Sequence, residues 1–299
     1  MERRLWSVVL AAGMGHRLSS LTGGMPKQFW RPAGSSSLLD ETLTRLAPLC
    51  PAARTVIVVD NGHRGYVSAG PQYRNRGRVM FQPSDRGTAA GVLFGLLPVL
   101  AADPDAVVLL SPSDHGVGNP ATFRRGISEA VTSVQSSGGI VLLAVKPSSA
   151  RADYGWITLG PGRRPDGMRS VDGFVEKPHA AAARRLLTSG AVWNTMVMVA
   201  RIEDLVALSR VHVPEMATKF LRAVAMPGDA HRLFLEALYP LLPVSDFSRD
   251  VLAPARGLLA YTWPSSMGWS DLGTPERLSE WLRTTPREAL PAGGVEATL

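Results

Sequence analysis

A short apolar run, Ser7-Val8-Val9-Leu10-Ala11-Ala12, breaks at Gly13-Met14-Gly15 and then supplies two cations, Arg17 and the Lys27 of Pro26-Lys27-Gln28-Phe29. A run of this kind is a buried strand feeding a loop whose glycines let backbone N–H groups point at a phosphate. The two cations neutralise what amides alone do not. The loop is not the dinucleotide fingerprint, because Leu18 stands where the third glycine belongs, and it lacks the Gly-Lys-Ser/Thr end of a Walker A loop. Met1-Glu2-Arg3-Arg4 and the apolar residues behind it also read as the start of a signal peptide. The run is short, however, and no small-residue cleavage site follows it.

The 299 residues suit one large α/β domain or two small ones. No apolar stretch approaches the roughly 18–20 residues of a membrane span. A single cysteine, Cys50, excludes an intrachain disulfide and any Cys-rich metal site, and suits a buried thiol in a reducing cytoplasm. The net charge of +7 comes mostly from dispersed arginines, such as Arg124-Arg125 and Arg184-Arg185, with no interleaved aromatics. Nucleic acid is therefore not an expected partner. A positive field does help to collect phosphorylated small molecules.

Along the chain, Ser37 to Leu46 reads as a helix with a capping-box start at Ser37 and Asp40, and Thr55–Val59 as a buried strand. His63 reads as a solvated loop residue. Val79-Met80-Phe81 ends in Gln82-Pro83-Ser84-Asp85-Arg86-Gly87-Thr88, and an apolar helix follows to about Ala102. Gln82 carries both donor and acceptor, and the amides of Gly87 and Thr88 are positioned to meet a base or ribose. The same stretch also reads as a plain strand–turn–helix corner. Ala106–Leu110 is the strongest buried strand, and it delivers Pro112-Ser113-Asp114-His115 at its carboxyl end, where open α/β sheets bind ligands. Asp114 reads either as a cation ligand or as a helix cap, with Asn119-Pro120 the better cap. Further on stand Asp153-Tyr154-Gly155-Trp156-Ile157, Val175-Glu176-Lys177-Pro178, Trp193-Asn194-Thr195 and Gly268-Trp269-Ser270-Asp271-Leu272-Gly273. Taken alone, Glu176 and Lys177 read as a solvated ion pair and Asp271 as a tight-turn aspartate. A helix from Pro275 and a disordered tail at 284–299 close the chain.

Taken together and in this order, these elements resemble the nucleotide-sugar pyrophosphorylases, the sugar-1-phosphate nucleotidyltransferases. Pro26-Lys27-Gln28-Phe29 is most similar to the mannose-1-phosphate guanylyltransferase branch. The resemblance spans roughly residues 7–275. It implies a single Rossmann-like domain over 1–283, with a mostly parallel mixed sheet, a smaller sugar-binding lobe at about 145–245, and no appended β-helix domain. It also implies transfer of a nucleotidyl group from an NTP to a sugar 1-phosphate with release of pyrophosphate. The expected roles are Arg17 and Lys27 as catalytic cations, with Ala11, Gly13, Gly15, Gln82, Gly87 and Thr88 around the nucleotide. Gly155, Glu176, Lys177 and Asn194 are expected around the sugar, and Asp114 and Asp271 on Mg²⁺. GTP and mannose 1-phosphate are the expected substrates. The same chemistry with dTTP, UTP or CTP, or a regulatory homologue that binds without turnover, stays open, as does a homo-oligomer. The chain departs from the family pattern at His16, Ser20 and Gly23-Gly24.

Overall fold

A computed structural model of the chain describes residues 4–31, 36–73 and 75–284. The first apolar run forms β1 (Leu5–Ala11), in which Val8 and Val9 are sealed from solvent on opposite faces. Three more apolar runs form β2 (Thr55–Asp60), β3 (Arg78–Gln82) and β4 (Val107–Pro112). These pair in the order β3-β2-β1-β4, all parallel. Parallel neighbours require crossovers, and helices supply them. Between β1 and β2 lie α1 (Ser19–Thr22) and α2 (Leu38–Leu46), between β2 and β3 lies α3 (Arg64–Ala69), and α4 (Gly87–Ala102) carries the chain from β3 back to β4. The winding thus reverses between β1 and β4, and the carboxyl ends of those strands flank the crevice where such sheets bind ligands.

Side-chain alternation sorts the core into two layers. Val8, Val56, Val58, Val108 and Leu110 face α4, while Val9, Ile57, Val59, Val107 and Leu109 face the other side. Helix α4 is apolar almost all round because it is buried almost all round. A Cβ on its Gly95 would sit 2.5 Å from Val8 and 2.9 Å from Val58, so glycine sets how closely helix and sheet approach. The capping box of α2 and the Asn119 cap of α5 (Pro120–Ser137) form as their sequences predict.

The rest of the chain adds the two-residue β5 (Gly116–Val117), β6 (Ile140–Val145), β7 (Gly155–Leu159), β8 (Arg169–Glu176), α6 (Ala180–Thr188) and β9 (Val192–Arg201). Helices α7 (Ile202–His212), α8 (Pro214–Val224) and α9 (Gly228–Leu238) follow, then β10 (Leu259–Trp263), β11 (Trp269–Ser270) and α10 (Pro275–Thr284). The expectation of a mostly parallel sheet holds for β3-β2-β1-β4 and for the pair β6–β10, but not beyond them. Strand β9 inserts antiparallel between β4 and β6, and β8 is antiparallel to β10 and β7. Strand β7 returns to β9 through Trp156 opposite Trp193, so β9, β6, β10, β8 and β7 close into a small ring. The physical reason lies in β9. Its register against β6 jumps from Val197 opposite Leu143 to Asn194 opposite Ala144, and Met196 takes a left-handed φ of 58°. A bulge of this kind bends a strand, and it lets β9 face β4 with one half and β7 with the other.

None of the described helices is long and apolar enough to cross a membrane. The expected tail, from 285 onward, lies outside the described residues.

Candidate functional site

At the end of β1 the chain turns through Gly13 and Gly15. Gly15 has φ of 66°, and a Cβ there would lie 3.0 Å from the Lys27 Cβ and 3.1 Å from its amide nitrogen. The loop therefore closes directly onto the Pro-Lys-Gln-Phe turn. Gln28 locks it from beneath, donating from Nε2 to the carbonyls of Ala11 at 2.7 Å and Gly13 at 3.0 Å. Phe29 anchors the turn by stacking on Tyr66 and meeting His63 and Tyr73 edge-on. His63, expected to be solvated, is instead buried beside Gln28, and that burial lowers its pKa. It belongs to the packing under the loop.

Lys27 is buried, and its ammonium lies between two distant segments. It donates to Asp114 Oδ2 at 3.1 Å and to the main-chain carbonyl of Asp271. What unites those segments is an antiparallel ribbon in which Ser270 of β11 pairs with Gly116 of β5. Asp271 follows one strand and Asp114 precedes the other, so residues 157 apart in sequence meet at one point. The ribbon continues through Gly118 N to the Gly268 carbonyl at 2.8 Å.

Burial by itself would push the Asp114 carboxyl up. Lys27 beside it, helped by His115 and the backbone, holds it below the usual carboxylate range. Burial carries His115 the other way, to about 4, with Lys27 also lowering it. Its Nδ1 accepts from Trp269 Nε1 at 3.3 Å, as a neutral ring requires. Between pH 6.5 and 4 the unfolded chain binds a proton at this position that the folded chain does not. Stability from His115 is therefore complete above pH 6.5 and drains as pH falls toward 4. We expect His115→Gln to flatten that part of the stability profile in denaturant titrations. An unchanged slope between about pH 6.5 and 4.5 would exclude the contribution. Beneath this segment, buried Arg45 lies over the Phe123 ring and donates to Thr42, which in turn donates to the Ser113 carbonyl.

The cleft beside Lys27 encloses about 390 Å³ and is lined by Gly13, Gly15, Gln82, Gly87, Thr88 and Asp114. Gln82 is buried there, and its Oε1 has no hydrogen-bond partner among the described residues. Gly87 serves in a different way from that expected. Its amide donates to Asp85 Oδ1 at 2.8 Å and is already occupied. With φ of 80° and a Cβ position only 2.2 Å from the Ser245 carbonyl, Gly87 is the residue that lets the 245–247 segment clasp α4. Thr88 Oγ1 accepts from Phe247 N in the same clasp.

Asp271 Oδ1 takes the Tyr154 hydroxyl at 2.8 Å and the Gly273 amide at 3.1 Å, and pairs with Arg277 Nε at 3.0 Å. Arg17, expected on the triphosphate, is an exposed side chain 3.8 Å from Asp153 at the mouth of the site. Gly155, Glu176 and Asn194 meet one another beyond the bulge. A Cβ on Gly155 would lie 2.6 Å from Glu176 Oε2 and 3.3 Å from the Asn194 Cβ. Burial raises the Glu176 pKa, with Asp246 adding to it, although Lys177 sits 3.3 Å away. Asn194 Oδ1 accepts from the Met196 amide and so braces the bulge. Sequence reasoning missed the structural part of Gln28 and the whole of Arg277. The first carried a signal, since it stands within Pro-Lys-Gln-Phe. The second carried none, standing on an ordinary amphipathic helix.

The nucleotidyl transferase family model matches residues 6–288. A mannose-1-phosphate guanylyltransferase of Salmonella muenchen is 27% identical over 98% of this chain and 63% of its own length. The xanthan biosynthesis protein XanB of Xanthomonas campestris is 29% identical over 89% of this chain and 57% of its own. The chain thus spans about 60% of the length of these curated relatives. Among solved structures, mannose-1-phosphate geranyltransferase from Thermus thermophilus superposes with a TM-score of 0.82 at 29% identity, covering 95% of this chain and 81% of that one. With Lys27, Asp114 and Asp271 gathered at the sheet's switch point and the family pattern matched over nearly its full length, the chain belongs to the nucleotidyl transferase family.

Proposed function

We propose that the protein transfers a nucleotidyl group from an NTP to a sugar 1-phosphate, giving NDP-sugar and pyrophosphate, with GTP and mannose 1-phosphate as the preferred pair. The observation that carries this reading is the Lys27 ammonium, held between Asp114 and the Asp271 carbonyl beside a glycine-lined cleft. The sugar phosphate oxygen attacks the α-phosphorus in line with departing pyrophosphate, so the protein contributes alignment and charge rather than a covalent intermediate. Lys27 stabilises charge growing at the α-phosphoryl group. The glycine loop, braced by Gln28, receives the triphosphate, and Arg17 reaches it from the mouth of the site on leaving Asp153.

The carboxylates of Asp114 and Asp271 are hard-oxygen donors of the kind that suit Mg²⁺, and these two residues would hold it. Held there, Mg²⁺ would supply charge neutralisation and Lewis acidity. The sugar lobe, at about 145–245, takes in β7, β8 and β9 of the ring. There Glu176 accepts from sugar hydroxyls, the Asn194 amide donates to them, and Lys177 faces the sugar phosphate. The buried Cys50 thiol, pushed up to about 11 by burial, suits a cytoplasmic enzyme.

The guanine assignment rests on Gln82. Its unpartnered Oε1 is an acceptor for the N1–H and N2–H₂ donors that guanine presents, and a buried acceptor left unpaired disfavours other bases. A pyrophosphate-release screen of GTP, ATP, UTP, dTTP and CTP against sugar 1-phosphates is expected to favour GTP with mannose 1-phosphate by kcat/KM. Gln82→Leu, which keeps the volume, should lower the GTP value by about 10–100-fold and erase its lead over ATP. A pyrimidine triphosphate winning the screen would overturn the guanylyl assignment and leave the reaction class intact.

A further inference from the structure

Arg277 comes from α10 and is buried, and its guanidinium joins the two acidic residues that face it. Nε lies 3.0 Å from Asp271 Oδ1 and Nη1 lies 2.8 Å from Asp153 Oδ2. The guanidinium also covers the Tyr154 ring at 5.0 Å, and the Tyr154 hydroxyl donates to that same Asp271 Oδ1. With the Gly273 amide, three groups from three segments converge on one oxygen of one carboxylate. Turning this carboxylate about its Cβ–Cγ bond breaks the hydrogen bonds from Tyr154 and Gly273 and draws Oδ1 away from the Arg277 charge. Gly273 is part of the same fit. A Cβ there would stand 2.5 Å from Asp271 Oδ2 and 2.7 Å from Arg277 Nη2.

We propose that Arg277 is a positioning residue that acts through Asp271, with Tyr154 and Asp153 as its two arms. It fixes the rotation of the Asp271 carboxylate, commits Oδ1 to the protein and leaves Oδ2 as the oxygen offered to a divalent cation. The guanidinium suits this task where an ammonium does not, because one rigid plane lets Nη1 donate to Asp153 while Nε keeps its charge 3.0 Å from Asp271 Oδ1. Asp153 also faces Arg17, so charges alternate from Arg17 through Asp153 and Arg277 to Asp271 along the mouth of the site. The inference rests on the reading of Asp271 as a metal ligand.

The test compares wild-type protein, Arg277→Met, Arg277→Lys and Tyr154→Phe by Mn²⁺ affinity in electron paramagnetic resonance, pyrophosphate release and melting temperature. Outer partners of a metal ligand typically contribute about 10–100-fold to affinity or activity. Arg277→Met should weaken Mn²⁺ binding by that factor and lower kcat in parallel, with Arg277→Lys restoring only part. Tyr154→Phe removes a single hydroxyl, and it should weaken Mn²⁺ several-fold while still melting as a folded protein. If Arg277→Met fails to fold, Tyr154→Phe and Asp153→Asn decide the matter. Unchanged Mn²⁺ affinity in the folded variants would overturn the positioning role even where the wild type binds metal and turns over. A wild type that binds Mn²⁺ but releases no pyrophosphate would overturn the proposed reaction alone.

Discussion

Replacing Lys27 by alanine is expected to lower kcat for pyrophosphate release by about 10²–10³-fold, the usual cost of losing one preorganised charge donor. The magnitude follows from where the ammonium sits. Lys27 is buried, so its charge acts through protein rather than water, and it is held before any substrate arrives by Asp114 and the Asp271 carbonyl. No reorganisation is then required as charge grows at phosphorus. Arg17 is the contrasting case: exposed and only loosely paired with Asp153, it is free to follow the nucleotide. Arg17→Ala should therefore appear mainly in the KM for NTP. Wild-type turnover in Lys27→Ala would detach the Pro-Lys-Gln-Phe turn from the chemistry.

The second large effect is expected at the carboxylates. Asp114→Ala and Asp271→Ala should each lower turnover by roughly 10²-fold or more, since each removes charge from one ion site. Both should also lose Mn²⁺ affinity, which separates a ligand from a residue that merely orders the cleft. Their effects on folding should differ. Asp114 is paired with buried Lys27, and removing it strands that cation, whereas Asp271 leaves Arg277 its second partner in Asp153. We therefore expect the lower melting temperature in Asp114→Ala, measured without metal. Full activity of either variant with Mg²⁺ present would remove that residue from the site.

Much of this molecule is legible without its structure. The strand at 7–11, the strand at 106–110 and the apolar helix from Gly87 are local facts. Burial on both faces writes a continuous run of β-branched and aliphatic residues, and the glycine turn marks where that run stops. A parallel block follows from such strands alternating with helices, and its switch point follows from the order of winding. That is why the position of the loop and of Asp114 could be read from the chain alone.

The convergence at the site was decided elsewhere. Asp271 reaches Asp114 through a ribbon of two residues on each side, too short to leave a periodic trace. The closed ring depends on a bulge at Thr195-Met196 that residue patterns do not announce, because its two extra residues leave the alternation intact, with Trp193 and Val197 on one layer and Val192 and Met198 on the other. His63 looked solvated because its neighbours in sequence are polar, yet Phe29 and Gln28, which cover it, come from another segment. Arg277 was silent for the same reason: a buried arginine is defined by the carboxylates that meet it, and Asp153 lies 124 residues away. Sequence by itself determined the buried strands, the apolar helix and the glycine turn that ends β1, since hydrophobic periodicity and turn chemistry act between near neighbours. Which residues stand together only the tertiary structure decided, because charge pairing and steric fit act between atoms in space, whatever their separation along the chain.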